Sequence, residues 1–185
     1  LGSGGTYFNI TNLTWSEGKH NVTIYVNDSA NNLNFSTISF TIDITNPDIN
    51  ITYPSSNNTI TNNANYNINA TFSDFGVGID SLWYSNDTYS INKSLGSGGT
   101  YFNITNLTWG EGNHNVTIYV NDSADNLNSS TISFTVDVTA PTASFTCSSS
   151  SPTVGDVVTC TCSGSDSLSG VQITSYTANP STATA

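Results

Sequence analysis

Residues 1–47 recur almost unchanged as residues 95–141. The two stretches differ at seven of 47 positions: Ser16, Lys19, Asn31, Phe35, Ile42, Ile44 and Asn46 become Gly110, Asn113, Asp125, Ser129, Val136, Val138 and Ala140. A chain that repeats itself folds one unit more than once. The shift of 94 residues is too long for a solenoid turn. It is the size of one β-sandwich domain, about 100 residues.

The frame of the unit follows from its prolines. Pro47 and Pro141 close the segments Asp-Ile-Thr-Asn-Pro and Asp-Val-Thr-Ala-Pro. These read as linkers, because Pro ends a strand and stiffens a junction. One complete module is therefore expected over residues 45–140. Residues 1–44 read as the C-terminal half of a preceding module, and residues 141–185 as the N-terminal half of a following one. In that last part Gly170-Val171 matches Gly78-Ile79 after a two-residue deletion. Continued, this register aligns Ala185 with Lys93 and Leu1 with Leu95. Half a sandwich cannot bury its inner face alone, so each end is expected to meet a partner. The partner is either an adjacent repeat in a longer array or the complementary half of another copy, added head to tail by its strands.

The local pattern has period two throughout. Val22, Ile24 and Val26 alternate with Asn21, Thr23, Tyr25 and Asn27, and Ile38, Phe40 and Ile42 alternate with Thr37, Ser39 and Thr41. Tyr66, Ile68, Ala70 and Phe72 do the same in Asn65–Asp74, and Phe8 and Ile10 oppose Asn9 in Tyr7–Thr11. Ile49 and Ile51 open the module after the linker; the facing of Leu82, Trp83 and Tyr84 stays open. Turns are expected at Gly96–Gly99, Glu111-Gly112 and Asp122–Asn126. No stretch keeps a helical period over two turns. About seven short strands per repeat, each with one apolar face, give an all-β chain of tandem antiparallel sandwiches.

Composition narrows what such a chain can do. Charged residues make up 8%, with two Lys, 13 acidic residues and a net charge of −11, against about 25% charged in ordinary domains. Two basic residues cannot neutralise a phosphate backbone or build a polybasic membrane patch. No apolar run is long enough to span a bilayer. Aromatic content of 11% with strict alternation argues against disorder. The sequence opens without Met or a basic-then-apolar leader, so a piece of a longer protein or a processed product is expected.

The linkers Asp43–Pro47 and Asp137–Pro141, the loops Asn27–Asn32 and Asn121–Asn126 (Asn-Asp-Ser-Ala-x-Asn), and the bends Asp74–Ile79 and Asp166–Val171 together carry a likeness. The chain resembles the immunoglobulin-like repeats of large bacterial and archaeal surface proteins. It departs from them where Asn31 and Asp125 replace the loop Gly; Asn and Asp are the non-Gly residues that best hold a left-handed backbone. The resemblance implies tandem immunoglobulin-like sandwiches outside the cell, with Ca²⁺ stiffening the junctions.

Fifteen Asn-x-Ser/Thr sites are present: Asn9, Asn12, Asn21, Asn27, Asn34, Asn50, Asn57, Asn69, Asn86, Asn92, Asn103, Asn106, Asn115, Asn121 and Asn128. With 26 Asn and 56 Ser plus Thr, chance gives about eight. N-linked glycans are expected on several, which requires an extracellular or cell-surface location. They would keep a weakly charged surface soluble and shield sheet edges.

Asp28, Asp43, Asp74 and Asp80 are expected around one end of the sandwich, as are Asp122, Asp137 and Asp166. Such loop carboxylates suit Ca²⁺, although Asp in loops also makes Asx-turns without metal. Cys147, Cys160 and Cys162 lie in the last half-module. Cys160 and Cys162 share a strand face, so a bridge from Cys147 to one of them is geometrically allowed, and the odd cysteine is expected to find its partner in the missing half-module or another chain. An exported chain favours the disulfide; zinc lacks a fourth ligand. His20 and His114 sit in equivalent turns without a nucleophile and read as solvated turn residues. Trp15, Trp83, Trp109, Tyr25 and Tyr119 read as aromatics covering a sandwich rim, with sugar stacking as the other reading. No catalytic residue is expected. The expected role is structural: a glycosylated filament, stalk or surface layer. An adhesin that binds a sugar or protein, and a spacer beside an enzyme, are the alternatives.

Overall fold

The computed structural model describes residues 9–11, 13–86, 93–105 and 107–172. Twelve strands and no helix occur among them: β1 (Gly18–Asn27), β2 (Leu33–Ile42), β3 (Asp48–Tyr53), β4 (Thr59–Thr61), β5 (Ile68–Ser73), β6 (Ile79–Asn86), β7 (Lys93–Ser97), β8 (Tyr101–Ile104), β9 (Gly112–Asp122), β10 (Leu127–Val136), β11 (Thr142–Cys147) and β12 (Cys160–Ser165). Of the strand expected at Tyr7–Thr11, residues 7 and 8 lie outside the described residues, and residues 9–11 are irregular.

Strands β3 to β10 form two sheets, β3–β5–β8 and β4–β10–β9–β6–β7. All pairs are antiparallel except β4 with β10, which run parallel. The alternation explains the layering. Ile68, Ala70 and Phe72 from β5 meet Val116, Ile118 and Val120 from β9 and Ile132, Phe134 and Val136 from β10 in one buried cluster. Most outward positions of the same strands carry Asn, Ser and Thr, as a sandwich with solvated outer faces requires.

The core reaches further toward the end of the sandwich than a rim of aromatics would. Trp109 is buried and its indole Nε1 donates to the Tyr66 carbonyl at 2.7 Å. Its ring meets Phe134 edge-on at 5.0 Å and lies 5.2 Å from His114. His114 is therefore a packed side chain and not a solvated one; its Nε2 lies 2.8 Å from the Gly110 carbonyl oxygen. The indole finds a hydrogen-bond partner because a buried donor without one is costly.

Two details depart from the sequence reading, and the facing of β6, which it left open, is now set. Eight strands, not about seven, fall between Asp48 and Val136. Two of the eight are short edges: β4 spans three residues, and β7 takes in Gly96 and Ser97, so the turn there narrows to residues 98–100. Leu82 and Tyr84 face the core, while Trp83 points outward and stacks on Tyr119 at 5.5 Å with the rings 6° apart.

The hairpin β1–β2 pairs in the same register as β9–β10, and β11 pairs with β12. Asn31 and Asp125 both have φ of 67°, so each supplies the left-handed residue that its loop needs in place of Gly.

Candidate functional site

The site grows from the linker between β2 and β3. Asp43 follows the last residue of β2 and is buried. Its Oδ1 accepts the Thr45 N–H at 3.1 Å, which bends the chain back on itself. Its Oδ2 reaches forward and accepts the Val77 N–H at 2.8 Å, in the loop between β5 and β6. The Asp43 carbonyl accepts Nδ2 of Asn126 at 3.1 Å, from the loop between β9 and β10. Gly76 is required here, because a Cβ at that position would overlap the Asp43 carboxylate.

The rest of the linker motif is also engaged. Thr45 donates its hydroxyl to Glu17 Oε1 at 2.6 Å, on the turn before β1. Pro47 is buried and its carbonyl accepts Asn128 Nδ2 at 2.8 Å. Each element of Asp-x-Thr-x-Pro thus holds one neighbour: Asp the loop between β5 and β6, Thr the turn before β1, Pro the first residues of β10. Sequence reasoning missed Glu17 and Glu111. The signal was their recurrence 28 residues before each linker Thr, where Thr139 donates to Glu111 Oε2 at 2.7 Å.

Two further carboxylates converge on Asp43. Asp74 Oδ2 accepts the N–H groups of Gly76 at 3.1 Å and Gly78 at 2.7 Å. Its Oδ1 is buried with no hydrogen-bond partner. Asp122 is fully buried; its Oδ1 accepts the N–H groups of Ala124 and Asn126, and its Oδ2 accepts Asn126 Nδ2, all at 2.8–2.9 Å. Burial pushes the Asp122 carboxyl up, but the Asn126 side chain and the loop N–H groups outweigh it and hold the group below its ordinary value. One oxygen from each of Asp43, Asp74 and Asp122 lies within 4.8 Å of the others. At an effective dielectric near 20, charges so spaced repel by about 3 kcal/mol per pair.

This cluster regroups the acidic residues. Asp28 and Asp43 do not share an end, because the ten-residue strand β2 separates them, a length of roughly 33 Å. Asp28 instead repeats the part of Asp122, accepting Ala30 N–H, Asn32 N–H and Asn32 Nδ2 at 2.7–2.9 Å. The Asn32 side chain, chiefly, holds its carboxyl below the ordinary range. Asp122 leaves Asp137 for the same reason and joins Asp43 and Asp74. Asp137 pairs with the next bend: its Oδ1 accepts Thr139 N–H at 3.2 Å and its Oδ2 accepts Ser169 N–H at 3.0 Å. Asp166 Oδ1 accepts Leu168, Ser169 and Gly170 N–H groups at 2.8–3.0 Å. The Leu168 N–H is the largest cause of its lowered pKa. Asp80 stands apart and exposed; its carbonyl accepts Gly98 N–H.

A hard divalent cation fits the first cluster. Three anionic oxygens are gathered, and the buried Asp74 Oδ1 lacks any other partner. Ca²⁺ would take the remainder of its six to eight ligands from carbonyls or water.

The other candidates resolve simply. Cys147 and Cys160 form a disulfide between directly opposed positions of β11 and β12. Cys162 is exposed and unpaired. Among the acceptor asparagines, Asn9, Asn21, Asn27, Asn34, Asn50, Asn57, Asn103 and Asn115 are exposed, and Asn69, Asn86, Asn121 and Asn128 are half-buried. Asn121 Oδ1 accepts the Ser81 N–H at 3.1 Å, and Asn128 donates its own Nδ2, the atom a glycan would use, to the linker. Asn12, Asn92 and Asn106 lie outside the described residues.

A sequence family described as "Bacterial Ig domain" matches residues 47–118, starting on the linker proline. A second, "Bacterial Ig-like domain (group 3)", matches residues 5–75. Between them the two matches liken residues 5–118 to bacterial immunoglobulin-like domains. The immunoglobulin-like sandwich is structurally similar to the fibronectin(III)-like modules of Clostridium thermocellum CbhA, with 23% identity over 48% of this chain and 94% of that one and a TM-score of 0.35. No curated protein matches the chain. Bacterial immunoglobulin-like domains are typically parts of extracellular or surface proteins, where they serve as structural, spacer or binding modules and are generally non-catalytic. No helix among the described residues is long and apolar enough to cross a membrane.

Proposed function

We propose that this chain is a stretch of an extracellular, N-glycosylated array of immunoglobulin-like modules whose work is mechanical, in a filament, stalk or surface layer. The complete module runs over residues 45–140, with halves of its neighbours at 1–44 and 141–185. The observation that carries this reading is the clamp built twice in the same way: Asp43 onto Val77 and Asp137 onto Ser169. A spacer whose linker is hydrogen-bonded to the module ahead transmits force and orientation, where a free linker would act as a hinge. Ca²⁺ held by Asp43, Asp74 and Asp122 completes the clamp by neutralising three converging charges.

The test is thermal melting of residues 1–185 with 1 mM Ca²⁺ and with chelator, beside Asp74→Asn. The reading expects Ca²⁺ to raise the melting temperature of the parent and to leave Asp74→Asn unmoved. Identical melting in both conditions would reject the ion. The adhesin alternative rests on Trp83 stacked on Tyr119 on an outward sheet face. Sugar titrations that quench the fluorescence of this pair would favour it.

A further inference from the structure

Five of the nine tyrosines stand two residues before an acceptor asparagine: Tyr7 before Asn9, Tyr25 before Asn27, Tyr84 before Asn86, Tyr101 before Asn103 and Tyr119 before Asn121. With 15 acceptor sites in 185 residues, chance places about one there. Merging the duplicated pairs still leaves three separate contexts among seven tyrosines. On a strand, residues two apart share a face and lie about 7 Å from each other. Tyr84 faces the core and is buried, so it serves as packing. Tyr25 and Tyr101 face outward at 65% and 56% exposure, and Tyr119 faces outward half-buried. Tyr7 lies outside the described residues.

The surroundings of Asn121 show what this spacing builds. Its Oδ1 accepts the Ser81 N–H at 3.1 Å and the Ser81 hydroxyl. Its Nδ2, the atom that takes a sugar, makes no hydrogen bond among the described residues. Across the sheet Asn121 pairs with Leu127, which is 50% exposed, and Tyr119 pairs with Trp83, on which its ring is stacked. Trp83 is the diagonal neighbour of Asn121, within reach of a long side chain. Three apolar side chains thus surround one acceptor. The other outward positions of β9 and β10 are all Asn, Ser or Thr. Beside Asn27 the same pattern recurs: the Tyr25 ring lies 5.9 Å from the exposed Phe35 on β2.

The geometry points to Asn27, Asn103 and Asn121 as the sequons whose glycans are part of the fold: the first sugar of each lies on the tyrosine two residues before it. At Asn121, Trp83 and Leu127 widen the platform. A pyranose ring has a face of C–H groups that rests on an aromatic side chain, while its hydroxyl edges stay in water. The sugar covers outward apolar surface that a bare sheet leaves in solvent. The Ser81 contacts fix the Asn121 amide, so the sugar enters at a set angle and less freedom is lost when it lies down. Acceptors without the tyrosine, such as exposed Asn50 and Asn57, carry no such support. The inference rests on the N-glycosylated reading above and not on the calcium site.

The experiment makes residues 1–185 in a host that N-glycosylates exported proteins and in one that does not, with occupancy read by peptide mass spectrometry. Ser123→Ala removes the acceptor sequence at Asn121 and leaves the hydrogen bonds of Asn121 in place. Sugar on Asn103 and Asn121 is the expected occupancy. In the glycosylated chain Ser123→Ala should lower the melting temperature by at least about 2 °C. In a Tyr119→Ser background it should change nothing, and in a Tyr119→Phe background the loss should return. In the sugar-free chain Ser123→Ala should be neutral, which separates the glycan from the serine itself. An equal loss from Ser123→Ala with and without the Tyr119 ring would overturn the proposal. So would bare Asn103 and Asn121 in a chain that carries sugar at Asn50 and Asn57, an outcome that leaves the glycosylated reading standing. Sugar at no site would fail that reading and take this inference with it. A sugar-free chain whose Trp83–Tyr119 pair binds free oligosaccharide at roughly micromolar concentration would make the platform a receptor site instead and overturn the proposal.

Discussion

Asp28 and Asp122 make the same three hydrogen bonds in the same loop, yet only Asp122 is buried. A buried loop carboxylate whose N–H partners have no water to turn to should matter more. Asp122→Ala is expected to cost about 2–3 kcal/mol in urea unfolding, and Asp28→Ala to leave the middle sandwich unchanged. The folded-state pKa of Asp122 lies below its ordinary value. Its stabilising contribution is therefore present above the unfolded pKa, about 3.9, and is lost as pH falls through the folded value. Melting followed from pH 6 to pH 2 should fall at the acid end, and Asp122→Ala should flatten that fall. Gly76 gives a second residue test. Gly76→Ala places a methyl group on the Asp43 carboxylate and is expected to destabilise by about 1–3 kcal/mol. Removing the obstacle with Asp43→Ala should recover part of that loss, so the double variant is less damaged than the two losses added.

At the scale of strands, the duplication supplies its own controls. Ile132→Ala removes a side chain from the closed core and should cost about 2–5 kcal/mol, whereas Ile38→Ala, its exposed counterpart, should cost almost nothing in the unfolding of the middle sandwich. Glycan occupancy divides by strand in the same manner. Peptide mass spectrometry of native material should find sugar at exposed Asn103 and none at Asn128, whose Nδ2 is bound to Pro47. Strict alternation made β1, β2, β5, β9 and β10 legible in the sequence, because each has one wet and one dry face. β4 and β7 were not legible: three-residue and glycine-bearing edges exist through the partner they pair with. β6 was ambiguous because Trp83 is apolar on the outer face, where Tyr119 covers it. The acidic site was legible in residue type and not in grouping. Asp43 and Asp122 are 79 positions apart in the chain and meet at one pole, while a ten-residue strand carries Asp28 away from Asp43. Strand length times rise, about 3.3 Å per residue, was the signal that separates them.

For the whole molecule, the account makes one sandwich closed and its neighbours' halves open, joined by linkers that are clamped rather than free. The two-stranded ladders at either end leave Ile24, Val26, Ile38 and Phe145 exposed, which a stable β-module does not do on its own. Hydrogen exchange on dilute, monomeric chain tests this most directly, because β1–β2 and β9–β10 have almost the same sequence and so nearly the same intrinsic exchange rates. The account predicts that the amides of Ile118 and Val120 exchange at least about a hundredfold more slowly than those of Ile24 and Val26. Equal protection of the two hairpins would contradict it, since the first would then be a finished module without a covering sheet.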